Sequence, residues 1–126
     1  MNIPSELKFT RSHEWLKDLG NGTFEIGISD FAQHELGDLV FVNLPQEGDA
    51  ITADEPFADV ESVKAVSDIY SPVSATVTEI NEEVLDAPES INSNAYEAWF
   101  VRVENVTETA ELLSAEEYEA FLNEEA

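Results

Sequence analysis

The stretch Phe57-Ala58-Asp59-Val60-Glu61-Ser62-Val63-Lys64-Ala65-Val66-Ser67-Asp68-Ile69-Tyr70-Ser71-Pro72-Val73-Ser74-Ala75-Thr76-Val77-Thr78-Glu79-Ile80 decides how this chain folds. Val60, Val63 and Ser67 fit one helical face, whereas Ile69, Tyr70 and Pro72 read as extended, and strands are the favoured reading. Val73, Ala75 and Val77 alternate after Pro72, so two strands are expected with Val63-Lys64 near the tip of the hairpin between them. Val and Lys are poor turn formers, because neither takes a positive backbone angle as readily as Asn-Gly or Asp-Gly. A local mismatch of this kind points to function.

Lys64 is also isolated in charge: it is the only positive residue between Lys17 and Arg102. A lone lysine among carboxylates is either a solvated turn residue that relieves its acidic surroundings or a nucleophile that another catalyst modifies. The residues alone leave both readings open.

Outward from the hairpin, Phe24, Ile26 and Ile28 alternate within Thr23 to Ile28 and predict a half-buried strand. Asp30 with Gln33 resembles a capping box and Gly37 is a C-terminal stop, so a short helix is predicted from Phe31 to Leu36, within residues 30–36. Asp38 to Leu44 reads as a strand ended by Pro45 and the Glu47-Gly48-Asp49 turn. A further strand is predicted from Tyr96 to Val103, with Trp99, Val101 and Val103 on one face. Ser114 and Glu117 match a second capping box, and Leu113, Tyr118, Phe121 and Leu122 form a stripe, so Ala115 to Asn123 should be a docked helix with a frayed Glu-rich end. The turn-like Glu47-Gly48-Asp49 and Asn81-Glu82-Glu83 on either side of the lysine give a faint internal symmetry.

At 126 residues and 43% hydrophobic, the chain is expected to be one folded domain with a real core. Its 28 acids against 5 bases give a net charge of -23, which repels phosphate backbones and anionic lipid, so neither nucleic acid nor a membrane is expected as a partner. Proteins with basic faces are the expected partners. No cysteine is present, which removes disulfides, thiol nucleophiles and cysteine metal sites. No signal peptide or membrane-spanning run is read, and a cytoplasmic location is expected.

The histidines, His13 and His34, lack a triad or metal-pair pattern and are expected to be surface or capping groups. Acid pairs such as Glu82-Glu83 arise by chance in so acidic a chain, and there is no calcium loop or glycine-rich phosphate loop. An enzyme with its own active site is disfavoured.

Glu61-Ser62-Val63-Lys64-Ala65, followed by Ser71-Pro72-Val73-Ser74, resembles the lipoyl-attachment segment of the H protein family of the glycine cleavage system. The resemblance runs along nearly the whole chain: Leu7-Lys8-Phe9, Ser12-His13-Glu14-Trp15, Gly27 to Gln33, Leu36 to Val42, Leu44-Pro45, Ala58 to Ala65, Asn81-Glu82, Pro88-Glu89, Ile91-Asn92-Ser93, Tyr96, Trp99 and Glu116-Glu117-Tyr118. It implies a mainly β fold, a barrel-sandwich hybrid of the biotinyl/lipoyl type with two small antiparallel sheets, and a single lipoyl-carrier domain over 1–126. It also implies lipoate joined to the Lys64 amine as lipoyl-lysine, within an attachment motif of Glu61, Ser62, Val63 and Ala65. A hairpin tip suits a nitrogen that several catalysts must reach.

The implied partners are a pyridoxal-phosphate glycine decarboxylase (P protein), an aminomethyltransferase using tetrahydrofolate (T protein), a dihydrolipoyl dehydrogenase (L protein) and a lipoyl-attaching enzyme. The chain would shuttle an aminomethyl group among them as a non-catalytic carrier. By position, Ser12, Glu14 and Asp68 resemble the cleft that shelters the loaded arm, with Glu14 accepting from the ammonium; ordinary turn capping is the plainer reading of Ser12 and Glu14.

Two positions depart from the family pattern. Ala75 stands where glycine is usual, and Tyr96-Glu97-Ala98-Trp99 lacks the glycine before the tryptophan and is a residue shorter. A biotinyl domain would flank its lysine with methionines, and a 2-oxoacid dehydrogenase domain would place Asp where Val63 stands. The remaining alternatives are an H-like relay of lipoyl or octanoyl groups and an unmodified acidic binding protein.

Overall fold

The computed structural model describes residues 3–125, so residues 1, 2 and 126 of the expected domain lie outside the described residues. The elements run β1 (Lys8–Phe9), β2 (Glu14–Gly20), β3 (Thr23–Ile28), α1 (Asp30–Leu36), β4 (Leu39–Asn43), β5 (Ala50–Ile51) and β6 (Pro56–Ser62). They continue through β7 (Val66–Tyr70), β8 (Val73–Ile80), α2 (Glu82–Asp86), α3 (Glu89–Ser93), β9 (Val101–Thr109) and α4 (Ala115–Glu125). Six strands form one sheet in the order β1-β2-β3-β9-β8-β5, and β4-β6-β7 form a second. Every strand pair is antiparallel, which makes this the mainly β, two-sheet architecture expected.

Alternation explains how the sheets face each other. In β8, Val73, Ala75 and Val77 are buried while Ser74, Thr76 and Thr78 are half-buried, the period-2 pattern of a strand with one apolar face. Val101 and Val103 of β9 do the same, and both strands bury these side chains in one cluster with Val42, Val60 and Ile69 of the three-stranded sheet. Each such Val or Ile contributes about 1.5–3 kcal/mol of burial. Ala75, where glycine is usual, is itself buried opposite Ile51, so the methyl group is accommodated in that core.

A second cluster docks α4. Phe9 and Tyr118 stack with centroids 4.4 Å apart and planes 3° from parallel, beside Trp15, Leu113 and Leu122. The predicted cap is present in both directions: Ser114 N donates to Glu117 Oε1 at 2.9 Å and Glu117 N donates to Ser114 Oγ at 3.1 Å. The helix is longer than expected, running through Asn123 and Glu124 to Glu125. Trp15 also fixes Gly27 opposite it in the ladder, since a Cβ there would lie 2.6 Å from the indole ring.

Several local expectations are corrected. α1 spans the expected residues 30–36, but buried Ser29, not Asp30, is its cap, accepting from Ala32 N at 3.1 Å; Asp30 instead accepts from the Gln33 amide. Asn81 caps the short helix α2 rather than sitting in a turn. The strand predicted from Tyr96 to Val103 starts at Val101 and extends to Thr109, because β8 supplies partners along that length, from Ile80↔Val101 to Val73↔Thr109. Upstream, the amides of Glu97 and Ala98 both bond to the Asn94 carbonyl and close a turn, so Trp99 precedes the strand. Its carbonyl accepts from Asn81 Nδ2 at 2.8 Å, and the Arg102 guanidinium lies 4.2 Å over its ring while pairing with Glu25 and Glu79. The loop that departs from the family pattern is thus held by an amide and a cation.

Candidate functional site

A hairpin tip does fall at Val63-Lys64, with Glu61 opposite Val66 as the last pair before the turn. The strand that closes it on β6 is β7, and not the alternating segment after Pro72, which is β8 and pairs with β9 and β5 in the other sheet. Ser62 makes the turn possible without a glycine. Its backbone N–H donates to the Ala65 carbonyl at 2.8 Å, and its hydroxyl oxygen accepts from Lys64 N at 3.2 Å and Ala65 N at 3.0 Å. Val63 N donates to the Asp38 carbonyl at 3.1 Å, which ties the tip to the residue before β4. The turn chemistry absent from Val-Lys therefore comes from a serine side chain and a neighbouring strand.

Lys64 is exposed at this tip, with Glu61, Val63 and Ala65 exposed around it and Ser62 buried beneath. Among the described residues its amine enters no ion pair. Its stem crosses Gly37, where an added Cβ would meet Lys64 Cε at 3.2 Å and Nζ at 3.7 Å, and where φ is +82°. The positive φ that ends α1 calls for glycine at 37, and the absent side chain also leaves space beside the exposed lysine stem. Sequence reading identified only the first role.

Ser12 and Glu14 are brought together, and Thr10 joins them. Glu14 Oε1 accepts from Ser12 Oγ and Thr10 Oγ1, each at 2.6 Å, and Oε2 accepts from Tyr70 N at 3.3 Å. Thr10 Oγ1 in turn accepts from Glu14 N at 3.0 Å. Glu14 is 1% exposed, and burial pushes its carboxyl up to about 7, against the pull of the Ser12, Thr10 and Tyr70 donors. The Tyr70 contact joins the turn before β2 to the end of β7, the strand that leaves the lysine hairpin. Thr10 and Tyr70 were missed in the sequence; the alternation of Thr10, Ser12 and Glu14 was the signal for the first.

Asp68 stands apart from this pair. It is exposed in β7 opposite Asp59 and lines a depression of about 260 Å³ with Asn43, Pro45 and Phe57, whereas Ser12 lines one of about 430 Å³ with Arg11, Asp54 and Glu111. His34 is exposed in the last turn of α1, as expected. His13 is half-buried rather than freely exposed: its Nδ1 lies 2.8 Å from the Tyr118 hydroxyl and its ring packs on Phe31 at 4.7 Å. Among the described residues no three His, Cys, Asp or Glu side chains gather as a metal site, and no helix is long and apolar enough to cross a membrane.

Comparison with known proteins follows the same outline. The family model described as glycine cleavage H-protein matches residues 7–125. The chain is 55% identical over 125 residues to the glycine cleavage system H protein of Lachnoclostridium phytofermentans, covering 99% of this chain and 98% of that one. It is 53% identical over 127 residues to the protein of the same name from Halalkalibacterium halodurans, covering 98% of each. Among solved structures, a glycine cleavage system H protein from Mycobacterium marinum superposes with a TM-score of 0.91 at 37% identity, over 96% of this chain and 99% of that one.

Proposed function

The chain belongs to the glycine cleavage H-protein family, and from that membership we propose that Lys64 is the residue through which it serves as the lipoyl carrier of the glycine cleavage system. The carrier role is that of the family; the relatives' shared name favours it over a lipoyl relay or an unmodified binding protein. The observation that supports Lys64 is its position: an exposed amine at a hairpin tip, in no ion pair among the described residues, on a turn closed by its own serine.

The residues fit an amide-linked lipoyl group. Acylation of the Lys64 amine removes one positive charge, and no carboxylate loses an ion-pair partner. When bound, the group supplies a disulfide that takes up a one-carbon amine unit on reduction and is later reoxidised. Ser62 and the Asp38 carbonyl hold the backbone of the tip still, while the lysine stem remains free to swing. Reach and accessibility, not chemistry performed by this chain, are then its contribution, and the catalytic steps belong to its partners. Those partners are glycine decarboxylase, the aminomethyltransferase, dihydrolipoyl dehydrogenase and a lipoyl-attaching enzyme. Glu61, Val63 and Ala65 present the lysine to them in a cytoplasmic, single-domain carrier.

Ser12 and Glu14 form the polar end of a shelter for the amine, with Glu14 exchanging one of its present donors for the ammonium. Asp68 contributes charge from the separate face of β7. The experiment is intact-mass measurement of the protein and its Lys64→Arg variant after expression with lipoate, paired with glycine-dependent bicarbonate exchange in the presence of the decarboxylase. Acylation and exchange by the parent, both absent from the variant, are expected. A parent that stays unmodified with lipoate and a competent ligase present refutes the proposal.

A further inference from the structure

Among the described residues, the large apolar side chains most exposed to solvent are Val63 at 69%, Val66 at 68%, Val40 at 54% and Phe41 at 47%. All four stand at one corner of the three-stranded sheet. Phe41, Glu61 and Val66 form one transverse row through the paired strands β4, β6 and β7, so their side chains share the outer face. A register shift between Leu39 and Phe41 leaves Val40 exposed as well, and the Val63–Asp38 hydrogen bond holds the hairpin tip over that bulge. The corner therefore adjoins the hairpin tip that carries Lys64, in a chain whose net charge is -23. Glu61 lies within the apolar row, and Asp59 and Asp68 form the next outward row with Asn43. The face calls for a partner with an apolar patch carrying cations opposite those acids.

We propose that the apolar corner of Val40, Phe41, Val63 and Val66 is the docking surface of the enzyme that acylates Lys64. The proposal rests on the reading of Lys64 as the attachment residue. Catalysts that act at the far end of a loaded arm can work at a distance from the hairpin. The acylating enzyme cannot, because its reacting carbon must meet Nζ itself. The neutral amine attacks the carbonyl carbon of an acyl-adenylate, the amide C–N bond forms, the C–O bond to phosphate breaks, AMP leaves with that electron pair, and the amine loses a proton. Bringing that carbonyl to bonding distance of Nζ requires contact with the tip that carries Lys64, where Val63 and Val66 are exposed beside Glu61 and Ala65. Burying them gives an enzyme without contact elsewhere a reason to bind here.

The test compares the parent with Phe41→Ser, Val66→Ser, the double variant and Phe41→Leu, using a lipoate ligase supplied with lipoate, ATP and magnesium. Leu85→Ser, on α2, alters an exposed apolar residue outside the corner. Acylation is followed by intact mass. Each variant is then driven to full acylation with excess ligase and assayed for reduction and reoxidation by the decarboxylase and the dihydrolipoyl dehydrogenase. The double variant should lose about tenfold or more in kcat/KM for acylation, through KM, while Phe41→Leu and Leu85→Ser stay within about twofold of the parent. The later steps should also stay within about twofold. Unchanged acylation overturns the proposal, and so does an equal loss at every step, which would mark a face shared by all the enzymes. Failure of the parent itself to be acylated, with a second lipoyl carrier modified under the same conditions, removes the reading of Lys64 rather than the corner alone.

Discussion

Glu14→Gln converts the most deeply buried carboxyl of the candidate site into an amide of nearly the same shape and removes its titration. In the folded chain Glu14 ionises near 7, against an ordinary value of 4.5, chiefly because burial disfavours the charged form. Between those two values the unfolded chain has released a proton that the folded chain still holds, so stability falls as pH rises through the window and levels off above it. At about 1.4 kcal/mol for each pKa unit, the full loss is roughly 3 kcal/mol. The variant has no such loss. Urea unfolding of both proteins from pH 4 to pH 8 isolates the effect, because the other 27 acids and both histidines are common to the pair and cancel in the difference. Relative to the variant, the parent should lose roughly 3 kcal/mol across the window, a midpoint change of roughly 1.5 M at a urea slope of about 2 kcal/mol/M. Lost hydrogen bonds in the variant shift the whole difference curve by a constant and do not change its slope. A difference that varies by less than about 0.5 kcal/mol between pH 4 and pH 8 refutes the argument from burial.

Glu14→Ala should leave acylation of Lys64 intact while releasing the aminomethyl group about tenfold faster or more, since a charge-assisted hydrogen bond is worth roughly 1.5–3 kcal/mol; unchanged hydrolysis kinetics of the loaded arm would count against a sheltering role. Gly27→Ala places a methyl group 2.6 Å from the Trp15 ring and should cost about 1–3 kcal/mol in denaturant unfolding, with no loss if the β2–β3 pair can move apart freely. Raising sodium chloride from about 0.1 M to about 1 M shortens the screening length from about 10 Å to about 3 Å, and the thermal midpoint should rise because the net charge of -23 repels itself; a flat midpoint would show that the carboxylates are spaced widely enough not to matter.

The hairpin that carries Lys64 could be read from its residues because two kinds of signal agreed there. The extended reading of Ile69 to Pro72 and the alternation after it placed Val63-Lys64 near a tip, and the poor turn chemistry of those two residues marked the place as unusual. The pairing itself was misread, because the alternating segment is β8 of the other sheet and the shorter β7 closes the hairpin. The structure supplies the missing term in Ser62, whose hydroxyl accepts from the Lys64 and Ala65 amides in a turn where no residue takes a positive φ, so no glycine is needed. β2 escaped notice for the opposite reason. Glu14, Trp15 and Leu16 are all buried in succession, so its start does not alternate, and a buried glutamate is the last residue a periodicity argument counts as inward. The strand drawn through Trp99 failed because the Asn94 carbonyl closes a turn over Glu97 and Ala98, and a tertiary bond from Asn81 holds the Trp99 carbonyl. Of the site, Lys64 and its motif were legible as a local pattern. The tie from Glu14 to Tyr70 links residues 56 positions apart and becomes visible only when the sheets close.

The division of labour within the fold leaves the proposed acylation of Lys64 free to follow folding rather than accompany it. Directly beneath the tip, Val60 and Ile69 are fully or almost fully buried and belong to the main core, so the two strands are anchored by packing that does not involve the lysine. The turn is then closed by Ser62 and by the Asp38 carbonyl, again without the lysine side chain. Lys64 therefore contributes neither an ion pair nor a core contact among the described residues. Removing its charge strands no buried carboxylate, a loss that costs several kcal/mol where a buried pair is broken. The stem passes Gly37, whose missing side chain leaves the lysine room at the end of α1. A residue so placed can be acylated and swung between partners while the sheets beneath keep their register, because no contact that holds those sheets together runs through it.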